Sequence, residues 1–127
     1  MKALECNKDV PTPIGPYSTA IISGSTLYVS GQIGIDPQTA SLVPGGVTAE
    51  VKQIFTNLDS VLKSLNLNSS NVLMASIFLL KMSDFKIVNE LYAEWVNGKC
   101  PPARQTVAVS ELPANANIEI SIVAEIV

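Results

Sequence analysis

The sequence predicts an α+β fold in which two helices cover one face of a mixed β-sheet, in the order β-β-α-β-α-β-β. Two segments carry apolar residues on a 3.6-residue period, and several others are apolar runs or alternate with a period of two. The chain has 127 residues, which suits one domain over residues 1–127 with one hydrophobic core. Two helices packed on one face of a sheet would bury all of these apolar stripes economically.

The first predicted element is a β-hairpin. Residues 17–22 and 26–30 have the composition of strands, and the Ser-Gly-Ser sequence at 23–25 is a turn signal between them. Residues 11–16 contain three prolines and are expected to form a rigid, extended lead-in. After the hairpin, residues 31–37 carry two glycines and lead into a loop.

The two predicted helices follow from their apolar stripes. The first has Thr48 as its expected N-cap, Glu50 in its first turn, and Asn66 in the left-handed conformation at its end. Its stripe consists of Val51, Ile54, Phe55, Leu58, Val61, Leu62 and Leu65. The second helix has Ser83 as its expected N-cap and ends at residues 97–98. Its stripe consists of Phe85, Val88, Leu91, Tyr92 and Trp95.

Three further strands complete the predicted sheet. Residues 72–80 are almost wholly apolar, which is typical of a strand buried on both faces. Residues 103–109 and 118–127 form the last two strands, and the final one alternates between isoleucine or alanine and mostly polar residues. Because the second sheet face is only half polar, and only 15% of residues are charged, we expect subunit contacts to cover part of it.

Missing residue types exclude several kinds of catalytic site. The chain has no histidine, so it cannot build a Ser-His-Asp or Cys-His unit or a His-ligated zinc site by itself. Its two cysteines, Cys6 and Cys100, are too few for a four-cysteine site and are expected to be free thiols. A proton shuttle would therefore use a carboxylate, tyrosine, lysine, thiol or water.

The charge pattern bears on partners and location. The net charge is −3, the lysines are scattered, and no basic cluster exists, so we expect no general binding to nucleic acid. No run of 18 apolar residues is present, which predicts that no helix spans a membrane. The N-terminal residues lack the apolar stretch of a secretory signal, and a cytoplasmic location is the simplest expectation.

Four residues are candidates for chemistry, each with two interpretations. Arg104, the only arginine, is either a surface cation in an ordinary ion pair or a bidentate anchor for a carboxylate. Glu119 is either a solvated carboxylate on the outer sheet face or a group that positions water or moves a proton. Tyr17 either packs against the protein or contributes to a site, and Gly31 either forms a turn or bulge or lets a ligand approach the backbone.

Together these residues resemble the Rid (YjgF) family of reactive-intermediate deaminases, over nearly the full chain from about residue 14 to residue 127. The resemblance is carried by residues 14–17 (IGPY), 30–33 (SGQI), 85–92 (FKIVNELY), 102–113 (PARQTVAVSELP) and 118–120 (IEI). It implies a chorismate-mutase-like fold and a homotrimer with three active sites at subunit interfaces. It also implies hydrolysis of 2-imino acids, such as 2-iminopropanoate and 2-iminobutanoate, to 2-keto acids and ammonia, without a metal or other cofactor.

The resemblance also implies roles for individual residues. Arg104 would bind the substrate carboxylate, and Glu119 would hold the attacking water. Tyr17 of a neighbouring subunit would line the pocket, backbone groups at Gly31 and Thr106 would contact the imino end of the substrate, and Asn89 would support the pocket.

The sequence departs from the family at two adjacent positions. Many family deaminases have cysteine in place of Thr106 and a small residue in place of Gln105, which bears on activity and substrate range. Two further functions stay open. One is a ribonuclease or translation inhibitor, an activity attributed to several relatives, and the other is a non-catalytic protein that binds carboxylate ligands.

Overall fold

The computed structural model describes residues 1–5, 7–98 and 100–127; Cys6 and Lys99 lie outside the described residues. Eight strands and two helices are formed within these ranges. They are β1 (Lys2–Ala3), β2 (Ala20–Ser23), β3 (Thr26–Gln32), β4 (Ile35–Asp36), β5 (Ser41–Leu42), α1 (Gly46–Lys63), β6 (Val72–Leu79), α2 (Phe85–Val96), β7 (Ala103–Ala108) and β8 (Ile118–Glu125).

Six strands form one mixed sheet, in the order β1-β2-β3-β8-β6-β7. The β6 and β7 strands are parallel, and every other pair in the sheet is antiparallel. The predicted α+β class and the order of the long elements are confirmed. Three short strands were not predicted: β1 pairs with β2, and β4 pairs with β5 in a separate hairpin. Each has only two residues, which is too short to show any periodicity.

The core lies between the two helices and one face of the sheet. Alternate residues of β8 are buried there, and they pack with alternate residues of β6 and with the apolar stripes of α1 and α2. Fully or almost fully buried side chains include Leu27, Ile54, Leu58, Leu62, Ile77, Leu79, Val88, Ile118 and Ile120. The predicted stripe of α1 is confirmed, because all of its members except half-buried Leu65 are buried.

The prediction that β6 is buried on both faces is wrong for the single chain. Its residues Met74, Ser76 and Phe78 point away from the helices and are half-buried. On the same side of the sheet, Tyr28 is 51% exposed and Val107 is 45% exposed. We call this side the open face. The apolar run of β6 therefore combines one face covered by helices with one apolar face that no described helix covers and that stays partly exposed.

The ends of the helices differ in part from the prediction. Helix α1 begins at Gly46, after Gly45 with a φ of 111°, so the prediction of Thr48 as N-cap is wrong. At the other end Asn66 adopts the predicted left-handed conformation, with a φ of 59°. Two backbone hydrogen bonds close the helix there: the Leu67 N–H donates to the carbonyl of Leu62, and the Asn66 N–H donates to the carbonyl of Lys63.

Helix α2 also starts differently from the prediction. It begins at Phe85 with Asp84 at its N-cap and no side-chain hydrogen bond to the cap, so Ser83 does not cap it. A 3₁₀ turn at Met82–Asp84 precedes the helix and satisfies the Asp84 N–H through the carbonyl of Lys81. The end of α2 agrees with the prediction, because Asn97 is in the left-handed conformation.

A buried glutamate fastens α1 to the segment before β8. The Glu50 side chain is 1% exposed, and its Oε1 and Oε2 accept hydrogen bonds from the Asn117 backbone N–H at 2.8 Å and from Asn117 Nδ2 at 2.6 Å. Helix α1 approaches so closely that a Cβ added to Gly34 would lie 2.8 Å from the Cα of Glu50. Because Asn117 lies two residues before Glu119, this contact fixes where β8 begins.

Replacing Glu50 with alanine is expected to lower the free energy of unfolding by about 2–4 kcal/mol, because two Asn117 donors lose their partner and a buried space is left. Chemical denaturation would measure the change. Replacement of Lys52, an exposed residue of the same helix, is the control and is expected to stay within about 0.5 kcal/mol. Equal effects for the two variants would contradict a structural role for Glu50.

Candidate active site

The Glu119 carboxylate lies in a pocket on the open face of the sheet. We call it the Glu119 pocket; its volume is about 280 Å³, and its lining is Ile14, Tyr17, Ser30, Gly31, Ile33, Pro113 and Glu119. Alternation along β8 turns Glu119 away from the helices, as predicted, but the side chain is half-buried rather than fully solvated. Burial raises the pKa of Glu119 above its ordinary value. A carboxyl group with a raised pKa, set in a largely apolar pocket, is suited to accepting and returning a proton.

Gly31 lies in a β-bulge and makes room for Glu119. The register between β3 and β8 shifts between Val29 and Gln32, so that Ser30 and Gly31 together face one residue of β8. A Cβ added to Gly31 would lie 2.7 Å from the Glu119 Cδ and 3.0 Å from each of its carboxylate oxygens. The bulge interpretation of Gly31 is thus correct, and the group that approaches its backbone closely is the protein's own carboxylate.

Replacing Gly31 with alanine is expected to displace the Glu119 carboxylate and to lower catalytic turnover by about tenfold or more, because a misplaced group is costly for catalysis. Steady-state kinetics would measure the loss, with an imino acid as substrate because the family resemblance implies that reaction. Gly15→Ala is the control, since its added methyl group would meet only the Tyr17 ring, at an ordinary 3.5 Å. Equal turnover by the two variants would argue against a need for close packing at Gly31.

Tyr17 lines the Glu119 pocket and is 49% exposed, so it is not packed into the core. It lies between the lead-in and the hairpin, because β2 begins only at Ala20 and not at residue 17 as predicted. Its backbone N–H donates to the carbonyl of Gly15 at 2.8 Å, which forms a tight turn. About half the surface of this amphipathic ring is therefore available beside the pocket for a ligand or a neighbouring subunit.

Arg104 lies on the opposite face, against α2. Its Nη1 donates to Asn89 Oδ1 at 2.8 Å, and its guanidinium lies 4.8 Å from the centroid of the Tyr92 ring and 5.7 Å from that of Phe85. These three residues occupy one face of α2, at spacings of four and three, and orient the guanidinium. Among the described residues no carboxylate pairs with Arg104, so the ion-pair interpretation does not hold within the chain. Four of its five N–H donors keep no partner there.

Thr106 lies beside Arg104 on the same face of β7, which is an edge strand. The Val109 N–H donates to the carbonyl of Leu79 in β6. Along a parallel strand, the backbone N–H and C=O of successive residues point alternately towards and away from the neighbouring strand. The backbone N–H and C=O of Thr106 consequently point to the unpaired edge. Its side-chain Oγ1 is buried without a hydrogen-bond partner among the described residues. The backbone at Thr106 is thus open to a ligand, whereas the hydroxyl is enclosed.

The predicted site residues form two separate groups within one chain. Glu119, Gly31 and Tyr17 share the open face, and Arg104, Asn89 and Thr106 lie on the helix side at the β7 edge. In the sheet register Glu119 is opposite Phe78, which is opposite Val107, three residues beyond Arg104. Two strand spacings and three residues separate the Cα atoms of Glu119 and Arg104 by about 14 Å. One small substrate cannot contact both side chains of the same subunit.

Reasoning from the sequence missed several residues around both groups. Ile14, Ile33 and Pro113 line the Glu119 pocket, and Phe85 and Tyr92 support the guanidinium. The helical spacing of Phe85, Asn89 and Tyr92 was a usable signal, because residues at these intervals share a face. Nothing in the local sequence indicates that Pro113 lines the same pocket as Ile14, since the two residues lie far apart in sequence.

The structure also bears on metals, thiols and membranes. Among the described residues, no group of three or more cysteine, aspartate or glutamate side chains is arranged to hold a metal ion. Cys100 is a free, exposed thiol, and the predicted free thiol at Cys6 lies outside the described residues. Within the described ranges, neither helix combines the length and the apolar character that crossing a membrane requires.

Comparisons with known proteins agree with the resemblance in the sequence. The profile of the family described as Endoribonuclease L-PSP matches residues 7–126. A RutC family protein of Sulfurisphaera tokodaii is 47% identical over 113 residues, covering 89% of this chain and 90% of the relative. The 2-iminobutanoate/2-iminopropanoate deaminase of Mus musculus is 42% identical over 114 residues, covering 90% of this chain and 84% of the relative.

A solved structure extends this similarity to the fold. The crystal structure of a Rid-family protein of unknown function from Yersinia pestis superimposes with a TM-score of 0.93, at 37% identity and with 98% of each chain covered. The match in sequence profile, the identity to relatives and the shared architecture all concern nearly the whole chain. The chain therefore belongs to the Rid (YjgF) family, whose sequence profile is described as Endoribonuclease L-PSP.

Proposed function

We propose that this protein hydrolyses small 2-imino acids to 2-keto acids and ammonia, at sites between the subunits of a homotrimer. Relatives that are 40–43% identical are named 2-iminobutanoate/2-iminopropanoate deaminase, which supports this reaction. The observation that carries the proposal is that two complementary half-sites lie apart in one chain. One offers a guanidinium with free donors, and the other offers a half-buried carboxylate in a pocket.

In the proposed mechanism, Arg104 binds the substrate carboxylate through two parallel hydrogen bonds, while Asn89 holds its Nη1 in place. Glu119 and Tyr17 of the neighbouring subunit face the imino carbon. Glu119 accepts a proton from water as the water oxygen bonds to that carbon and the C=N π electrons move to nitrogen. Backbone groups at Gly31 and Thr106 contact the imino end.

Collapse of the resulting carbinolamine completes the reaction. Glu119 returns its proton to the nitrogen, the C–N bond breaks, and the hydroxyl oxygen forms the new C=O bond as its proton passes to the departing ammonia. A protonated imine and one water thus yield a 2-keto acid and ammonium, with no electron donor or acceptor required. The proposal includes neither a metal nor another cofactor, and it places the reaction in the cytoplasm.

The activity can be tested by coupling the protein to a threonine dehydratase, which releases the imine from its amino acid. Semicarbazide in the assay traps the imine that has not been hydrolysed. Adding the protein is therefore expected to lower the formation of semicarbazone and to speed the release of ammonia. If a 2-keto acid stabilised the protein against thermal unfolding but the protein did not speed the loss of imine, the result would instead support a non-catalytic protein that binds carboxylate ligands.

The shared site can be tested by mixing two inactive variants, Arg104→Ala and Glu119→Gln. If Arg104 and Glu119 act from different subunits, unfolding and refolding the variants together restores complete sites, roughly a quarter of the total for random assembly. Each variant refolded alone is the control and should stay inactive. Without recovery in mixtures that do form trimers of both variants, sites within single subunits would be indicated.

A ribonuclease is the second candidate, because the family profile carries the name endoribonuclease. The charge of the chain argues against it: the net charge is −3 and Arg104 is the only arginine. Binding to an RNA backbone draws on clustered lysine and arginine and weakens steeply with salt. RNA affinity that matches the affinity for an imino acid and falls steeply with salt would favour this candidate instead.

A further inference from the structure

A second cavity adjoins the Glu119 pocket. It has a volume of about 230 Å³ and lies between the lead-in at residues 11–14 and the segment at residues 33–40. It shares part of its lining with the Glu119 pocket, namely Ile14, Tyr17, Gly31 and Ile33. A ligand whose reacting carbon lies beside Glu119 therefore has this second cavity next to it, which we call the side-chain cavity.

The lining of the side-chain cavity is mostly apolar. Prolines, isoleucines and one alanine form most of it, and it includes no charged side chain. Thr19 and Gln32 add polar atoms but are themselves buried, with 3% and 7% of their surfaces exposed. The Gln32 amide donates to the carbonyl of Ser30 at 3.3 Å. Such a lining favours a hydrocarbon group and disfavours a carboxylate, whose charge it could not satisfy.

The volume of the cavity indicates the size of its occupant. A protein cavity of about 150 Å³ accommodates benzene. The methyl group of 2-iminopropanoate or the ethyl group of 2-iminobutanoate would leave most of about 230 Å³ unfilled. A branched or aromatic side chain would fill it and would gain more from leaving water.

We propose that the side-chain cavity binds the side chain of the imino acid and that it selects 2-imino acids with large apolar side chains, such as the imine of leucine. This proposal rests on the proposed function, because it assumes that an imino carbon lies beside Glu119. In it, Ile35 determines specificity without touching the reacting atoms: it lines the side-chain cavity but not the Glu119 pocket.

The test uses Ile35→Phe, which fills the cavity, and Leu42→Phe as a matched control. Leu42 is the cross-strand partner of Ile35 in the β4–β5 hairpin, is half-buried like it, and lines neither pocket. An amino acid oxidase would generate the imines of leucine and alanine in the assay. Calorimetry would measure the binding of the products, 4-methyl-2-oxopentanoate and pyruvate, independently of turnover.

The wild type is expected to bind 4-methyl-2-oxopentanoate up to about 50-fold more tightly than pyruvate, from three additional buried carbons. Ile35→Phe should lower kcat/KM for the leucine imine at least tenfold and leave that for the alanine imine within about twofold. Leu42→Phe should change neither. Two results would overturn the cavity's role and leave the proposed function standing. One is full turnover of the alanine imine by the wild type without a preference for the leucine imine. The other is an equal loss of kcat/KM for both imines in Ile35→Phe. Failure to hydrolyse either imine would overturn the proposed function itself.

Discussion

Replacing Arg104 with alanine is expected to lower kcat/KM for 2-iminobutanoate by about 10²–10³-fold. The guanidinium is the only one in the chain, and its planar fork of donors fits a carboxylate as no lysine ammonium does. In the proposed mechanism two charge-assisted hydrogen bonds are lost together, each worth about 1.5–3 kcal/mol, and partial replacement by water reduces the sum. The coupled imine assay would measure the change, and retention of wild-type turnover would remove Arg104 from the mechanism.

Two further variants separate charge from geometry. Arg104→Lys keeps the positive charge but loses the fork of donors and the flat contact with the Tyr92 ring, so we expect a loss of about tenfold or more. Lys86→Ala removes an exposed cation from the same helix that supports Arg104 and is expected to be neutral. If the lysine variant were fully active, charge alone would suffice, and the bidentate arrangement would be wrong.

The sequence predicts the parts of this fold that depend on neighbouring residues. The apolar period of α1 follows from contact with a single core, and the Gly24 turn with its positive φ follows from local backbone sterics. The starts of the helices were less predictable, because Gly45 and the 3₁₀ turn at Met82–Asp84 replace the expected side-chain caps. The two-residue strands depend on pairing with distant segments, which leaves no local pattern.

The candidate site shows the same division between local and distant information. Arg104 and Glu119 were identifiable as residue types, through a resemblance to a family. Their placement on opposite faces depends on the register of β6 with β7 and β8, which alternation within each strand does not define. The contact between Gly31 and Glu119, like that between Glu50 and Asn117, joins residues far apart in sequence. Packing of the whole sheet decides such contacts.

Replacing Glu119 with glutamine is expected to lower kcat by about 10²–10³-fold, within the range for loss of a general acid–base group. Glutamine has almost the same shape and fits beside Gly31, but it cannot accept the proton of the attacking water. Glu125→Gln, at the exposed end of the same strand, is the matched control and should keep wild-type turnover. Comparable turnover by the two variants would show that another group moves the proton.

The same replacement is expected to stabilise the fold at neutral pH. Burial raises the pKa of Glu119 in the folded chain, so the folded state binds this proton more tightly than the unfolded state does. The contribution of Glu119 to stability is therefore greatest below the unfolded pKa of about 4.3 and falls as the pH rises through the folded value. Glutamine does not ionise and avoids that loss.

The midpoint temperature of thermal unfolding should therefore be higher for Glu119→Gln than for the wild type at pH 7. The difference should vanish near pH 4. The comparison is sharpest in an Arg104→Ala background, because in the proposed trimer a neighbouring guanidinium faces Glu119 and favours its charged form. Removing that cation should enlarge the gain from glutamine at neutral pH. A gain that is the same in both backgrounds would mean that no guanidinium approaches Glu119, and the shared site would then be wrong even if each residue alone were essential.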